Sequence, residues 1–301
     1  MTEAPSAPGA LLRSRDRSVR EPPCYAALDL GTNNCRLLIA TQACRIAENG
    51  PAFIERVAGE TGIQLQIISP QEEAKLSVAG CVTLLDRSHD AALVVDVGGG
   101  STEMSWLDLK AGRDAETPPM RAWLSIPIGV VTLAERFPEG EAATEGWFRA
   151  MVDTVKGEIA AFRRADTMRP VFEADRAHLI GTSGAITSLA GMHLDLPRYD
   201  RNRVDGIWMT RAQCDAAAVR LLALKPQERA AQPCIGPDRA DLVLAGAAIL
   251  QAVQELWPCS RVRVADRGLR EGILNSLMAK RGGRRRRRRG RAGAEPRATA
   301  A

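Results

Sequence analysis

Two short stretches carry the residue types that phosphate chemistry needs: Asp29-Leu30-Gly31-Thr32-Asn33-Asn34, and Asp96-Val97-Gly98-Gly99-Gly100-Ser101-Thr102-Glu103. Each follows a short apolar run (Tyr25–Leu28 and Ala91–Val95) and opens on an aspartate at its end. A strand that stops in an acidic residue and then glycines frees backbone N–H groups to face an anion, while the carboxylate beside them can hold a divalent cation. Two such loops predict a cleft that grips phosphate and Mg²⁺ from both sides. A third, Gly181-Thr182-Ser183-Gly184, follows the apolar run Ala177–Ile180 and opens a helix over Ala185–Leu194.

The surrounding pattern supplies the elements that must position these loops. Cys35–Ala40 reads as the returning strand of a hairpin. Asn49 to Glu60 has helical spacing with Asn49 as N-cap, and Leu65–Ile68 alternates as a strand. Ser69-Pro70-Gln71-Glu72 pairs a capping box with proline at the first helical position, predicting a helix through about Leu85. Strands are expected at Ala91–Val95, Thr102–Leu109, Trp123–Ile128 and Arg261–Ala265. Helices are expected at Val130–Phe137, Glu145–Arg164, Arg211–Leu224 capped by Thr210, Asp238–Trp257 and Gly268–Met278. Such alternation is α/β architecture. His89, His178 and His193 lack ligand spacing and read as structural, and Arg45 and Glu48 as a solvated helix start.

The 301 residues suffice for one large domain or two modest ones. The net charge of +5 misleads: nine arginines against one glutamate put +8 on residues 281–301, leaving −3 on residues 1–280. Seven cysteines without a Cys-x-x-Cys pair argue against a disulfide framework or zinc site and suit a reducing cytosol. With no apolar leader core and no long apolar run, a soluble cytoplasmic protein is expected, with no membrane contact.

Taken together, Asp29–Leu38 (DLGTNNCRLL), Ile67–Leu76 (IISPQEEAKL), Asp96–Glu103 (DVGGGSTE), Leu124–Val130 (LSIPIGV) and Gly181–Leu189 (GTSGAITSL) resemble the Ppx/GppA family of exopolyphosphatases and guanosine pentaphosphate phosphatases, within the actin/Hsp70/sugar-kinase superfamily. Arg239–Leu250 and Val264–Leu274 extend the resemblance, which spans about residues 24–278. It implies a two-lobed actin-like ATPase (ribonuclease H-like) α/β fold. The expected division is a leader at 1–22, a first lobe at 23–122, a second lobe at 123–280 and an Arg-rich tail at 281–301.

The resemblance implies that Glu73 is the general base that activates water, and that Asp29, Asp96 and Glu103 hold or orient Mg²⁺. Arg36 would neutralise a phosphate, with Gly31, Thr32 and Asn33 beside it. The amides of Gly98, Gly99, Gly100 and Ser101, and of Gly181, Thr182, Ser183 and Gly184, would cradle phosphoryl groups. A metaphosphate-like transition state is stabilised mainly by positioning, cations and aimed N–H donors. The implied reaction is Mg²⁺-dependent hydrolysis of the terminal phosphoanhydride of inorganic polyphosphate or guanosine pentaphosphate. Phosphotransfer, or an inactive phosphate-binding remnant, stands as the alternative.

Two departures mark the chain. Ala40 joins Thr41 directly, where the family continues through further strands and a helix, about two supersecondary units or roughly 60 residues. The first lobe is therefore expected to lack internal strands and a helix, leaving sheet edges unpaired. Long family members carry a further helical C-terminal domain linked to processive polyphosphate binding, whereas this sequence ends soon after the expected core, so processivity is not expected. The arginine run Arg284–Arg289 has no interleaved aromatics for stacking bases and reads as a polyanion-attracting tail. A homodimer is the default expectation for assembly.

Overall fold

The computed structural model describes residues 38–113 and 115–278. The expected strand at Tyr25–Leu28, the Asp29 loop with Gly31, Thr32, Asn33 and Arg36, the leader and the Arg-rich tail lie outside the described residues.

The described residues begin with β1 (Leu38–Ala40), α1 (Gln42–Ile46), α2 (Gly50–Thr61), β2 (Leu65–Ile67) and α3 (Pro70–Cys81). A three-strand meander follows: β3 (Ala91–Val97), β4 (Thr102–Asp108) and β5 (Met120–Ile126). The remainder is α4 (Val130–Arg136), α5 (Glu145–Ala160), α6 (Arg169–Glu173), β6 (Ala177–Thr182), α7 (Gly184–His193), α8 (Arg201–Val204), β7 (Trp208–Thr210), α9 (Arg211–Leu222), α10 (Pro226–Ala230), α11 (Val243–Leu256) and β8 (Arg261–Ala265). A last helix, α12, covers residues 269–278.

Six strands form one sheet in the order β5-β4-β3-β6-β8-β7. The antiparallel β3–β4–β5 meander continues into parallel β6 and β8, with β7 antiparallel at the edge. This is the ribonuclease H-like arrangement expected of an actin-like lobe. One face carries Leu93, Val95, Met104, Trp106, Leu179 and Val262 against α5, α7 and α11 and holds most of the core. The other carries Ala92, Val94, Leu107, Ile180 and Ala265 against Val78 and Cys81 of α3. Central β3 reads as a continuous apolar run because both its faces are covered.

Before this sheet, β1 and β2 pair in parallel as a separate two-stranded sheet, with Leu38 opposite Leu65. Only α1 and α2 lie between them, as expected from the direct Ala40–Thr41 junction. An interlobe boundary between residues 122 and 123 is not what the sheet shows. It falls inside β5, and β3, β4 and β5 are hydrogen-bonded into the same sheet as β6, β8 and β7.

Local signals place α3 closely. Ser69 accepts the Glu72 N–H at 3.2 Å and Pro70 takes the first helical position. The regular helix ends at Cys81 and tightens into a 3₁₀ turn over Val82–Leu84. Asn49 precedes α2 but makes no side-chain cap, and the helix stops at Gly62 in the left-handed region, φ 69°.

Candidate active site

A single row of side chains crosses the sheet at the C-terminal ends of β3 and β6. In register, Ser125 of β5 stands opposite Glu103 of β4, Glu103 opposite Asp96 of β3, Asp96 opposite Thr182 of β6, and Thr182 opposite Ala265 of β8. Directly paired residues point to the same face. Asp96, expected just beyond its strand, thus lies within β3, because the β6 ladder runs through Asp96 itself and the β4 ladder one residue further, through Val97.

α3 crosses over this row. Its Glu73 and Ser77, one turn apart, are both buried. Ser77 Oγ donates a short hydrogen bond to Asp96 Oδ2. Ser125 Oγ donates to Glu103 Oε1 at 2.8 Å. Arg45 of α1 donates from Nη1 to the Ile68 carbonyl at 2.6 Å and pairs through Nη2 with Glu73 Oε2 at 3.0 Å. Arg45 is therefore a half-buried partner of the expected base and not part of a solvated helix start. Sequence spacing gave no signal for it, since its partner lies on another element.

Electrostatically, the three carboxyls form one group. Burial pushes Glu103 up to about 8, with the charges of Glu73 and Asp96 adding to the effect. Burial likewise pushes Asp96 up to about 6, against the Ser77 hydrogen bond that favours its charged form. Glu73 is raised by burial, which outweighs the hydrogen bond and charge of Arg45. A buried carboxyl held above its ordinary range is suited to taking a proton near neutral pH.

The turn between β3 and β4 closes with the Gly98 N–H donated to the Ser101 carbonyl at 2.9 Å. The carbonyls of Gly98 and Gly99 accept from Val130 and Val131 at the start of α4, both at 2.9 Å. In a trans peptide the N–H points opposite to its C=O. The N–H groups of Gly99 and Gly100 thus aim away from α4 as a pair of donors, and no backbone acceptor takes them among the described residues. A Cβ at Gly129 would overlap the Gly99 carbonyl, so glycine is required there for this approach. Gly98 N–H itself is spent on the turn.

The β6–α7 junction divides its expected residues differently. Gly181 and Thr182 belong to β6, and Gly181 pairs with Val95 and Val264 as an inner-strand residue. A Cβ at Gly181 would come within 2.8 Å of Ile186 Cδ1, so close helix–strand packing accounts for this glycine. Thr182 Oγ1 donates to the Arg267 carbonyl at 2.9 Å. Ser183 Oγ caps α7 by accepting the Ile186 N–H at 3.0 Å. The donors left for an anion are the first N–H groups of α7, beginning at Gly184. Arg239, exposed and not singled out from the sequence, rests its guanidinium on this point, with Cζ 3.2 Å from where a Gly184 Cβ would lie.

Among the described residues no three His, Cys, Asp or Glu side chains make a preformed metal cage. Asp96 and Glu103 are hard oxygen donors whose charge is poorly compensated, which fits a cation that keeps waters and substrate phosphates as its other ligands. Asp29 and Arg36 lie outside the described residues and are not placed.

The chain matches the Ppx/GppA phosphatase family over residues 27–281. It is 27% identical over 279 residues to Exopolyphosphatase 1 of Mycobacterium tuberculosis, covering 91% of this chain and 76% of that protein. It superposes on the crystal structure of the Aquifex aeolicus Ppx/GppA family member with TM-score 0.65 and 28% identity, over 81% of this chain and 74% of that one. An exopolyphosphatase from Cytophaga hutchinsonii, at 22% identity and TM-score 0.68, shares the fold over 80% of this chain and 74% of its own. With the carboxylate row, the glycine turn and the α7 start all set on one fold within the matched span, the chain belongs to the Ppx/GppA phosphatase family.

Proposed function

We propose that the protein is a Mg²⁺-dependent phosphatase that hydrolyses the terminal phosphoanhydride of inorganic polyphosphate, of guanosine pentaphosphate, or of both. The observation that carries this reading is the convergence of Glu73, Asp96 and Glu103 beside the free N–H groups of Gly99 and Gly100. Glu73 takes the proton of the attacking water on the carboxylate oxygen that Arg45 leaves free. The Gly99, Gly100 and α7 donors, together with Arg239, hold the oxygens of the transferred phosphoryl group. Asp96 and Glu103, with Asp29, are the residues that would hold Mg²⁺, which when bound neutralises charge on the phosphates. Arg36 and the arginine run at 284–289 supply further attraction for the polyanion.

The test is Mg²⁺-dependent phosphate release from each substrate by the wild type and by Glu73→Gln. Release abolished by the substitution supports the hydrolase and its base. A folded wild-type protein that binds polyphosphate but releases nothing would favour the alternative of a binding remnant, and transfer of phosphate to ADP would favour a phosphotransferase.

A further inference from the structure

On the same face of the sheet as Asp96, but two residues back along the strands, stands a second cluster that the carboxylate row does not use. Arg263 of β8 pairs with Ile180 of β6 on one side and with Trp208 of edge strand β7 on the other. Arg261, two residues earlier, projects to the same side. Both guanidiniums pack on one indole: Cζ of Arg261 lies 4.8 Å and Cζ of Arg263 5.0 Å from the Trp208 ring centroid. The two cations are therefore no farther apart than the sum of those distances. Behind the indole, buried His178 makes an edge contact at 5.4 Å.

Among the described residues neither Arg261 nor Arg263 forms an ion pair, whereas Arg201, Arg211 and Arg267 on adjoining segments each have a carboxylate. Arg263 Nε donates to the Gly206 carbonyl at 3.1 Å. The nearby acids are engaged elsewhere: Asp86 by Ser88 and His89, and Asp175 by the Ser260 N–H. Two half-buried guanidiniums against one ring repel each other, and among the described residues no carboxylate pairs with either, so the indole and the Gly206 carbonyl are their only described partners. A guanidinium resting against an aromatic ring keeps N–H donors that the ring does not use, in the fork geometry that suits phosphate oxygens.

We infer that Trp208, Arg261 and Arg263 form a second anion site, separate from the carboxylate row, that takes two or more neighbouring phosphates of an inorganic polyphosphate chain. Single-stranded nucleic acid is the less favoured occupant because the guanidiniums already take up the indole against which a base would stack. The identity of the chain as polyphosphate rests on the proposed function; the site itself does not.

The experiment compares the full chain carrying Glu73→Gln, alone and with Arg261→Gln plus Arg263→Gln, for binding of end-labelled long-chain polyphosphate at physiological ionic strength. Loss of about tenfold or more in affinity is expected from removing two charge-assisted contacts. In the Glu73→Gln background, Arg261→Lys plus Arg263→Lys should retain most of the binding, and circular dichroism should show all variants folded. With Glu73 intact, the double glutamine variant should hydrolyse tripolyphosphate as the wild type does. Unchanged long-chain affinity in the folded double variant would overturn the site. A larger loss for single-stranded RNA than for polyphosphate would overturn the assigned ligand. An absence of hydrolysis by the wild type, with the binding difference intact, would remove the proposed function and leave the site standing.

Discussion

Arg45 Nη2 stands 3.0 Å from Glu73 Oε2, joining α1 to the first turn of α3. The same guanidinium donates to the Ile68 carbonyl at 2.6 Å and to Gln42 Oε1 at 3.1 Å. Gln42 in turn lies against Gly100, its Cγ 3.1 Å from where a Cβ would stand. One short helix therefore touches both the proposed base and the proposed phosphate turn, and Arg45 fixes one carboxylate oxygen of Glu73 while leaving the other.

Removing that cation has a defined sign. Burial raises Glu73 and Arg45 opposes it, so Arg45→Met leaves burial unopposed and the carboxyl rises further. The base then remains protonated to higher pH. The acidic limb of the kcat/KM profile should move to higher pH, with activity at neutral pH lower by about tenfold or more. Arg45→Lys should restore part of the limb. A drop in rate with an unmoved limb in both variants would show that Arg45 does not tune the base.

Ser77 is expected to matter through Asp96. Its hydroxyl favours the ionised carboxylate, so Ser77→Ala pushes Asp96 above its present value of about 6. A hydrogen bond to a charged group contributes about 1.5–3 kcal/mol. Its loss should be felt more above about pH 6, where Asp96 is ionised, than below. Denaturant midpoints near pH 5 and near pH 8 measure this, and equal losses at both would contradict the assignment.

The carboxylate row also predicts how stability varies with pH. Asp96 and Glu103 move from ordinary values of 3.8 and 4.5 to about 6 and about 8 on folding. Between those limits the folded protein binds more protons than the unfolded chain, so these groups make stability fall as pH rises through that window. A cation binding the ionised pair should weaken the trend by mass action. Melting scans should show Tm dropping from about pH 5 to about pH 8.5 without Mg²⁺, and less with it. Asp96→Asn with Glu103→Gln should flatten both curves; an unchanged slope in that variant would place the effect elsewhere.

The readable parts of this site are the local ones. Ser69, Pro70 and Glu72 lie within four residues and specify the start of α3, hence where Glu73 emerges. Pairings set by tertiary contact, and the short edge strand β7, were not readable. β7 is three residues long and follows Gly206 at φ 87°, so no period-2 pattern exists to detect. Arg45 and Glu73 are 28 positions apart, and Arg45 in isolation carries the spacing of a surface residue. Gly181 fits a phosphate loop by sequence, but its place is set by Ile186 and by ladders on both sides.

The position of α3 over Asp96 depends on its contact with α12. A Cβ at Gly272 would overlap the Leu76 carbonyl, and one at Gly80 would overlap the carbonyl of Gly268. Asn275 Nδ2 donates to the Ala79 carbonyl at 3.0 Å, and Cys81 Sγ lies 3.4 Å from the Arg267 carbonyl. These are backbone obstacles, so a methyl group can be admitted only by separating the helices. Overpacking of this kind costs about 1–3 kcal/mol. Gly272→Ala should lower Tm by several degrees and should also lower kcat, because Ser77 and Glu73 ride on the displaced helix. Gly59→Ala serves as the control, since a Cβ there meets nothing within 4 Å and alanine favours the α2 interior. If Gly272→Ala loses stability while keeping kcat at temperatures well below its Tm, α12 holds the fold together without setting the register of the proposed base.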